Sequence, residues 1–181
     1  MRKLHFTLPI AIIFLILTAC QTTATKPTIN DENLISKNHA AASKLIADSE
    51  GVLSKSHPIL ITSFANIDDL QSSSTFGRIT GEQVGSKFSQ SGYSVVEMKV
   101  RNSIFIKEQT GEFMLSRELK TLSTLHDATA VLVGTYAVGS TSVYVTAKLI
   151  DTQNNMVISS YDYVLPIGPD TKTLLKNKNT Y

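Results

Sequence analysis

The sequence predicts an α/β fold, α+β under schemes that separate mixed from parallel sheets, in one domain with the element order α-β-α-β-α-β-β-β. Three observations carry that expectation. Apolar residues recur at helical spacing in three segments, and alternate or run in short β-branched stretches in five others. The second and third helices each separate two strands, and a right-handed crossover through each sets the first three strands parallel. The last two strands are joined by a short turn, which makes them an antiparallel hairpin. The expected sheet is therefore mixed, with about five strands and about three helices packed against it.

The first helix is expected from Asn33 to about Ser56, because Leu34, Ala41, Ala42, Leu45, Ile46 and Leu53 fall near one face. Gly51 weakens its last turn. "PILITSFA", from Pro58, is almost wholly apolar and rich in β-branched residues, as a strand covered on both faces requires. "NIDDLQSSS" reads as a loop whose serines cap the next helix by accepting its first free N–H groups. That helix, "TFGRITGEQVGSKFSQSG", places Phe76, Ile79, Val84 and Phe88 on one stripe and ends at Gly92.

Gly77, Gly81 and Gly85 recur every four residues on a neighbouring face, each about 1 kcal/mol less favourable in a helix than Ala. Three in register need a reason. Close packing of the helix on the sheet or on the first helix supplies one, and a partner-binding groove is the alternative. Membrane pairing through small residues does not apply, because Arg78, Glu82 and Lys87 interrupt the segment.

"YSVVEMKV" alternates, with Val96, Met98 and Val100 on one side and Glu97 and Lys99 on the other, and predicts a half-covered strand. "GEFMLSRELKTLSTLHDA" contains the third helix, starting near Ser116, with Leu115, Leu119, Leu122 and Leu125 at helical spacing. "AVLVGTYAV" is a buried strand. "SVYVTAKLI", the turn "DTQNN" and "MVISSYDYVL" form the hairpin, with Val143, Val145, Ala147 and Leu149 on one face. Residues 168–181 are polar and mildly basic and read as a frayed tail.

The amino terminus has a different character. Arg2 and Lys3 precede an apolar stretch from Pro9 to Ala19 that is too short to span a bilayer comfortably, the pattern of a secretory signal. It ends Leu17-Thr18-Ala19-Cys20, which resembles the lipobox of bacterial lipoproteins. The resemblance implies that residues 1–19 are a signal peptide and that Cys20, the single cysteine, receives a diacylglycerol and an amide-linked acyl chain. Three hydrocarbon tails at about 0.8 kcal/mol per buried CH₂ make such attachment effectively permanent. Those lipids are the only added group implied, and no other cofactor is expected. Gln21 stands where an aspartate usually retains such proteins at the inner membrane, so the resemblance implies sorting to the outer membrane. Residues 20–32 are polar and Thr-rich and read as a flexible stalk of roughly 40 Å at full extension, leaving 33–167 as the folded domain.

Charge and motif content exclude several function classes. The chain carries 17 Lys+Arg against 15 Asp+Glu, and loss of Arg2 and Lys3 with the leader makes this 15 against 15. A neutral domain is a poor phosphate-tracking surface, so no nucleic-acid partner is expected. One cysteine excludes an internal disulfide, and His5, His39, His57 and His126 are too scattered for a metal site. There is no G-x-S-x-G or H-E-x-x-H. "GRITGEQVGSK" lacks phosphate-loop spacing and lies within a helix, whose N–H groups are already used. Asp68 and Asp69 are adjacent and point to opposite sides of an extended segment, a poor acid/base pair. No catalytic residue and no enzymatic activity are expected.

"PILITSFANIDDLQSSSTFGR", "SQSGYSVVEMKVRNSIFIKEQTGEFMLSREL" and "ATAVLVGTYAVGSTSVYVTAKLIDTQNNMVISSYDYVLP" together resemble the FlgO family of bacterial outer-membrane lipoproteins, from about His57 to Pro166. The resemblance implies a non-enzymatic, flagellum-linked assembly role needed for flagellar stability or motility. It also implies contacts with flagellar or other envelope proteins and a periplasmic location, and it leaves a homo-oligomer open. The wider fold looks similar to the amino-terminal domain of TolB and to the small envelope domains of CsgG and LpoB. The alternative is thus a lipoprotein cofactor for another envelope machine. Under this reading Asp68, Asp69, Arg78, Arg101, Glu112 and Arg117 are expected at one sheet edge, as Asp–Arg pairs that fix two loops and can touch a neighbouring subunit.

Overall fold

The computed structural model describes residues 28–98, 105–107, 113–115 and 117–176. In chain order its elements are α1 (Leu34–Asp48), β1 (Ile59–Thr62), β2 (Ala65–Asn66), α2 (Thr75–Gln90), β3 (Val95–Met98), β4 (Phe105–Lys107), β5 (Phe113–Leu115), α3 (Arg117–Leu125), β6 (Ala130–Val138), β7 (Ser142–Asp151), β8 (Val157–Pro166) and α4 (Pro169–Leu175). The main sheet has the order β3-β1-β6-β7-β8, and the short β2 continues the line of β1 along β6. β1 pairs in parallel with both β3 and β6, whereas β7 is antiparallel to β6 and β8. The mixed sheet of the sequence reading is therefore present. It gains β2, while β4 and β5 form a separate antiparallel ribbon.

All four residues of β1 are buried because its two faces meet different layers. Ile59 and Ile61 join Leu45, Phe76, Val84 and Phe88 on the side of α1 and α2, and Leu60 joins Leu119, Val131 and Val133 on the side of α3. β7 shows the half-covered version of the same rule. Val143, Val145, Ala147 and Leu149 are buried against α1 and α2, and Tyr144 faces out. A polar chain crosses the first layer: Tyr163 donates to Asn38 Oδ1, and Asn38 Nδ2 donates to Gln83 Oε1 at 2.7 Å. Burial holds the Tyr163 phenol well above its usual range, so it stays a donor.

Three segments differ from the sequence reading. α1 stops at Asp48 rather than near Ser56, because the Ser49 N–H closes on the Leu45 and Ile46 carbonyls and Gly51, at φ +81°, turns the chain away. Leu53 still reaches the core, from the turn beyond the helix. In α3, Leu119 is fully buried and Leu122 partly so, but Leu125 is 74% exposed because the helix ends there.

The third difference is at the carboxyl end, where 169–175 form a helix and not a frayed tail. Pro169 is preset for the first turn, and the Asp31 carboxylate accepts the N–H groups of Asp170 at 2.8 Å and Thr171 at 2.9 Å. Leu174 and Leu175 then pack on the main core. Asp31 is thereby part of the folded body, and Glu32 pairs with Lys37 at 2.6 Å, so the folded body begins before Asn33.

Candidate functional site

The carboxyl ends of the parallel strands, where an open α/β sheet places its working surface, are formed here by the exit of β1, the loop to α2 and the far end of β6. The glycine row decides how α2 approaches them. A Cβ at Gly77 would lie 2.1 Å from the Phe64 carbonyl oxygen, one at Gly81 2.3 Å from that of Thr62, and one at Gly85 2.8 Å from the Ile61 side chain. The helix therefore rests on the strand's backbone, and the Phe64 N–H donates to the Gly77 carbonyl at 2.9 Å.

Hydroxyls fasten this junction. Ser73 Oγ donates to the Phe64 carbonyl at 2.8 Å, and Ser74 Oγ accepts the Gly77 N–H as the cap of α2. Tyr136 donates its hydroxyl to Ser74 Oγ at 2.8 Å, and its ring meets Phe76 edge-on at a centroid distance of 5.4 Å. Thr62 Oγ1 donates to the Leu132 carbonyl at 2.9 Å, tying β1 to β6. Neither Tyr136 nor Thr62 was singled out by sequence reasoning. The available signal was a phenol inside an otherwise apolar strand, which has to find a partner when buried.

Of the charges expected at this edge, the described ones turn to their own segments. Asp69 Oδ1 accepts the Gln71 N–H at 3.1 Å, and the Asp68 N–H is held by Asn66 Oδ1 at 3.1 Å. Arg78 bonds the Ser73 carbonyl at 2.8 Å and Thr75 Oγ1 at 3.0 Å, at its own helix start. Among the described residues no ion pair joins Asp68 or Asp69 to Arg78 or Arg117. The loop satisfies its own N–H groups first, and Arg117 stands exposed at the start of α3. Arg101 and Glu112 lie outside the described residues, as do Leu17, Thr18, Ala19, Cys20 and Gln21.

What remains is a shallow, open depression lined by Ile61, Thr62, Ser63, Arg78, Glu82, Glu97 and Met98. At the opposite end of the sheet Ser56 Oγ lies 3.1 Å from His57 Nδ1, and His57 Nε2 lies 3.7 Å from Asp127 Oδ2. The Asp127 side chain is 88% exposed, so water competes for the imidazole and the trio lacks the desolvated carboxylate that orients a catalytic histidine. Among the described residues no group of His, Cys, Asp and Glu could hold a metal ion, and no helix is long and apolar enough to cross a membrane.

The fold has known relatives. The LpoB C-terminal domain of Salmonella enterica aligns with a TM-score of 0.54 at 13% identity, over 74% of this chain and 98% of that one. The corresponding domain from Escherichia coli gives 0.46 at 14% identity over 72% and 98%. A lipoprotein of Neisseria meningitidis gives 0.41 at 20% identity over 67% and 86%. No curated protein matches the sequence. The FlgO protein family matches over residues 39–170, from within α1 to the start of α4, and the chain belongs to that family.

Proposed function

We propose that this protein is a lipid-anchored module of the outer membrane that helps assemble or stabilise the flagellar apparatus, and that it has no catalytic activity. The observation that carries the reading is the coexistence of a FlgO-family domain with Leu17-Thr18-Ala19-Cys20 at the end of a short apolar leader. In it, residues 1–19 are cleaved, Cys20 is acylated and Gln21 permits sorting to the outer membrane. The geometry at the carboxyl ends of the strands supports a role in contact rather than chemistry. Ser73, Ser74, Thr62 and Tyr136 spend their hydroxyls on joining elements, and Asp69 and Arg78 on shaping one loop. The partners in this reading are flagellar envelope proteins, and the domain faces the periplasm.

Chromosomal replacement by Cys20→Ser, beside a deletion strain, tests it. Expected are loss of the protein from the outer-membrane fraction and impaired swimming in both strains, while Gln21→Asp shifts the protein to the inner membrane. Normal swimming with intact flagella in the deletion strain would remove the flagellar part. It would favour the alternative of a cofactor for another envelope machine, which the fold shared with the LpoB domain supports.

A further inference from the structure

α3 covers only part of its side of the sheet. Val131, Val133 and Ile150 lie under it, but among the described residues no element covers the far ends of β6, β7 and β8 on that face. There the register sets Ala137 against Tyr144 and Tyr144 against Val164. Strand alternation turns Tyr144 and Val164 away from the buried Val143, Val145 and Leu165, and they are 60% and 47% exposed. Ile67, 50% exposed, follows the last β2–β6 pair, and its N–H bonds the Tyr136 carbonyl. An apolar row thus runs from the exit of β2 across β6, β7 and β8 at one end of the sheet.

That end is also where the chain enters the domain. β8 finishes at Pro166, and Asp31 is bonded to Asp170 and Thr171 just beyond it. Thr28, where the described chain begins, is eight residues from Cys20, a span of at most about 29 Å.

We infer that this row is a second membrane contact. Ile67, Ala137, Tyr144 and Val164 settle into the boundary between headgroups and acyl chains of the bilayer that holds Cys20, with only that end of the sheet tipped onto the lipid. The inference rests on the lipidation reading above. Half-exposed side chains of this size present on the order of 300–400 Å² in total, at most half of the roughly 800 Å² per partner that a stable complex of two copies buries. A short tether changes that balance for lipid, because it holds the row near the membrane at high effective concentration and a weak affinity suffices. A tyrosine at the rim suits the interface, where its ring is buried and its hydroxyl wet. Among the described residues the charges nearby are Asp68 and Asp69 beside Ile67, and Asp162 and Lys148 behind Tyr144 and Val164. An acidic rim favours zwitterionic phospholipid over an anionic surface.

The chain has no tryptophan, so one can be introduced as a probe. Full-length acylated Tyr144→Trp protein in phosphatidylcholine vesicles is compared with Met156→Trp, an exposed site in the turn at the opposite end of β7 and β8. Brominated phosphatidylcholine is expected to quench the first indole at least threefold more than the second, with a blue-shifted emission. Val164→Asn in the Tyr144→Trp background is expected to abolish the difference while the protein still floats with the vesicles. Equal quenching at both sites in floating protein overturns the inference alone. So does a blue shift that grows with protein density without bromolipid quenching, because a second copy then covers the row. Failure to float defeats the anchoring reading and this inference with it.

Discussion

Tyr136 and Ser74, sixty-two residues apart, exchange two hydrogen bonds: the Tyr136 hydroxyl donates to Ser74 Oγ at 2.8 Å and accepts the Ser74 N–H at 3.1 Å. One phenol in β6 thereby supports the cap of α2 and fixes the loop that leads into it. Tyr136→Phe keeps the ring against Phe76 but leaves the Ser74 N–H without its acceptor in a buried site. A loss of about 1–3 kcal/mol is expected. Urea denaturation checks it, with a lower midpoint and an unchanged slope.

Gly→Ala within a helix ordinarily stabilises by about 1 kcal/mol. At Gly81 the sign should reverse, because the added Cβ would lie 2.3 Å from a backbone oxygen that only a shift of α2 can relieve. Gly81→Ala is expected to destabilise by about 1–3 kcal/mol. Gly85→Ala should cost less, since the obstructing atoms belong to the Ile61 side chain, which can rotate. Equal midpoints for the two variants in thermal or urea unfolding would contradict this ordering.

The Asp31 carboxyl responds to acid through α4. Desolvation alone raises its pKa, but hydrogen bonds from the Thr171 side chain and the N–H groups of Thr171, Asp170 and Gly168 outweigh it and hold the group below 3.8. A depressed folded value means that the contribution is complete above the unfolded value and is lost as pH falls through the folded one. The amide resonances of Asp170 and Thr171 should therefore be constant from pH 7 to about 5 and shift together below about 4. Asp31→Asn should remove that inflection.

How much of this was legible beforehand depended on the range of the signal. The hairpin face of Val143, Val145, Ala147 and Leu149 was readable because a period of two is local, and all four are buried. The glycine row announced a close approach, but its partners, the carbonyls of Thr62 and Phe64, are backbone atoms that no side-chain pattern marks. α4 was invisible because it has seven residues and takes its cap from Asp31, 139 positions away. Among the described residues Asp68 and Asp69 meet neither Arg78 nor Arg117, for a local reason. Asn66 and Asp69 accept N–H groups within their own loop, and Arg78 turns back to its own helix start.

The clasp between Asp31 and the first turn of α4 has a mechanical side. A pull transmitted along the chain from the amino terminus meets this clasp before it reaches α1, and then the whole length of α1 against β8. The load therefore falls first on a pair of carboxylate hydrogen bonds and on helix packing, before any strand pairing of the sheet. Under such a pull the domain would yield first at α4, with the sheet and the Tyr136–Ser74 lock still closed.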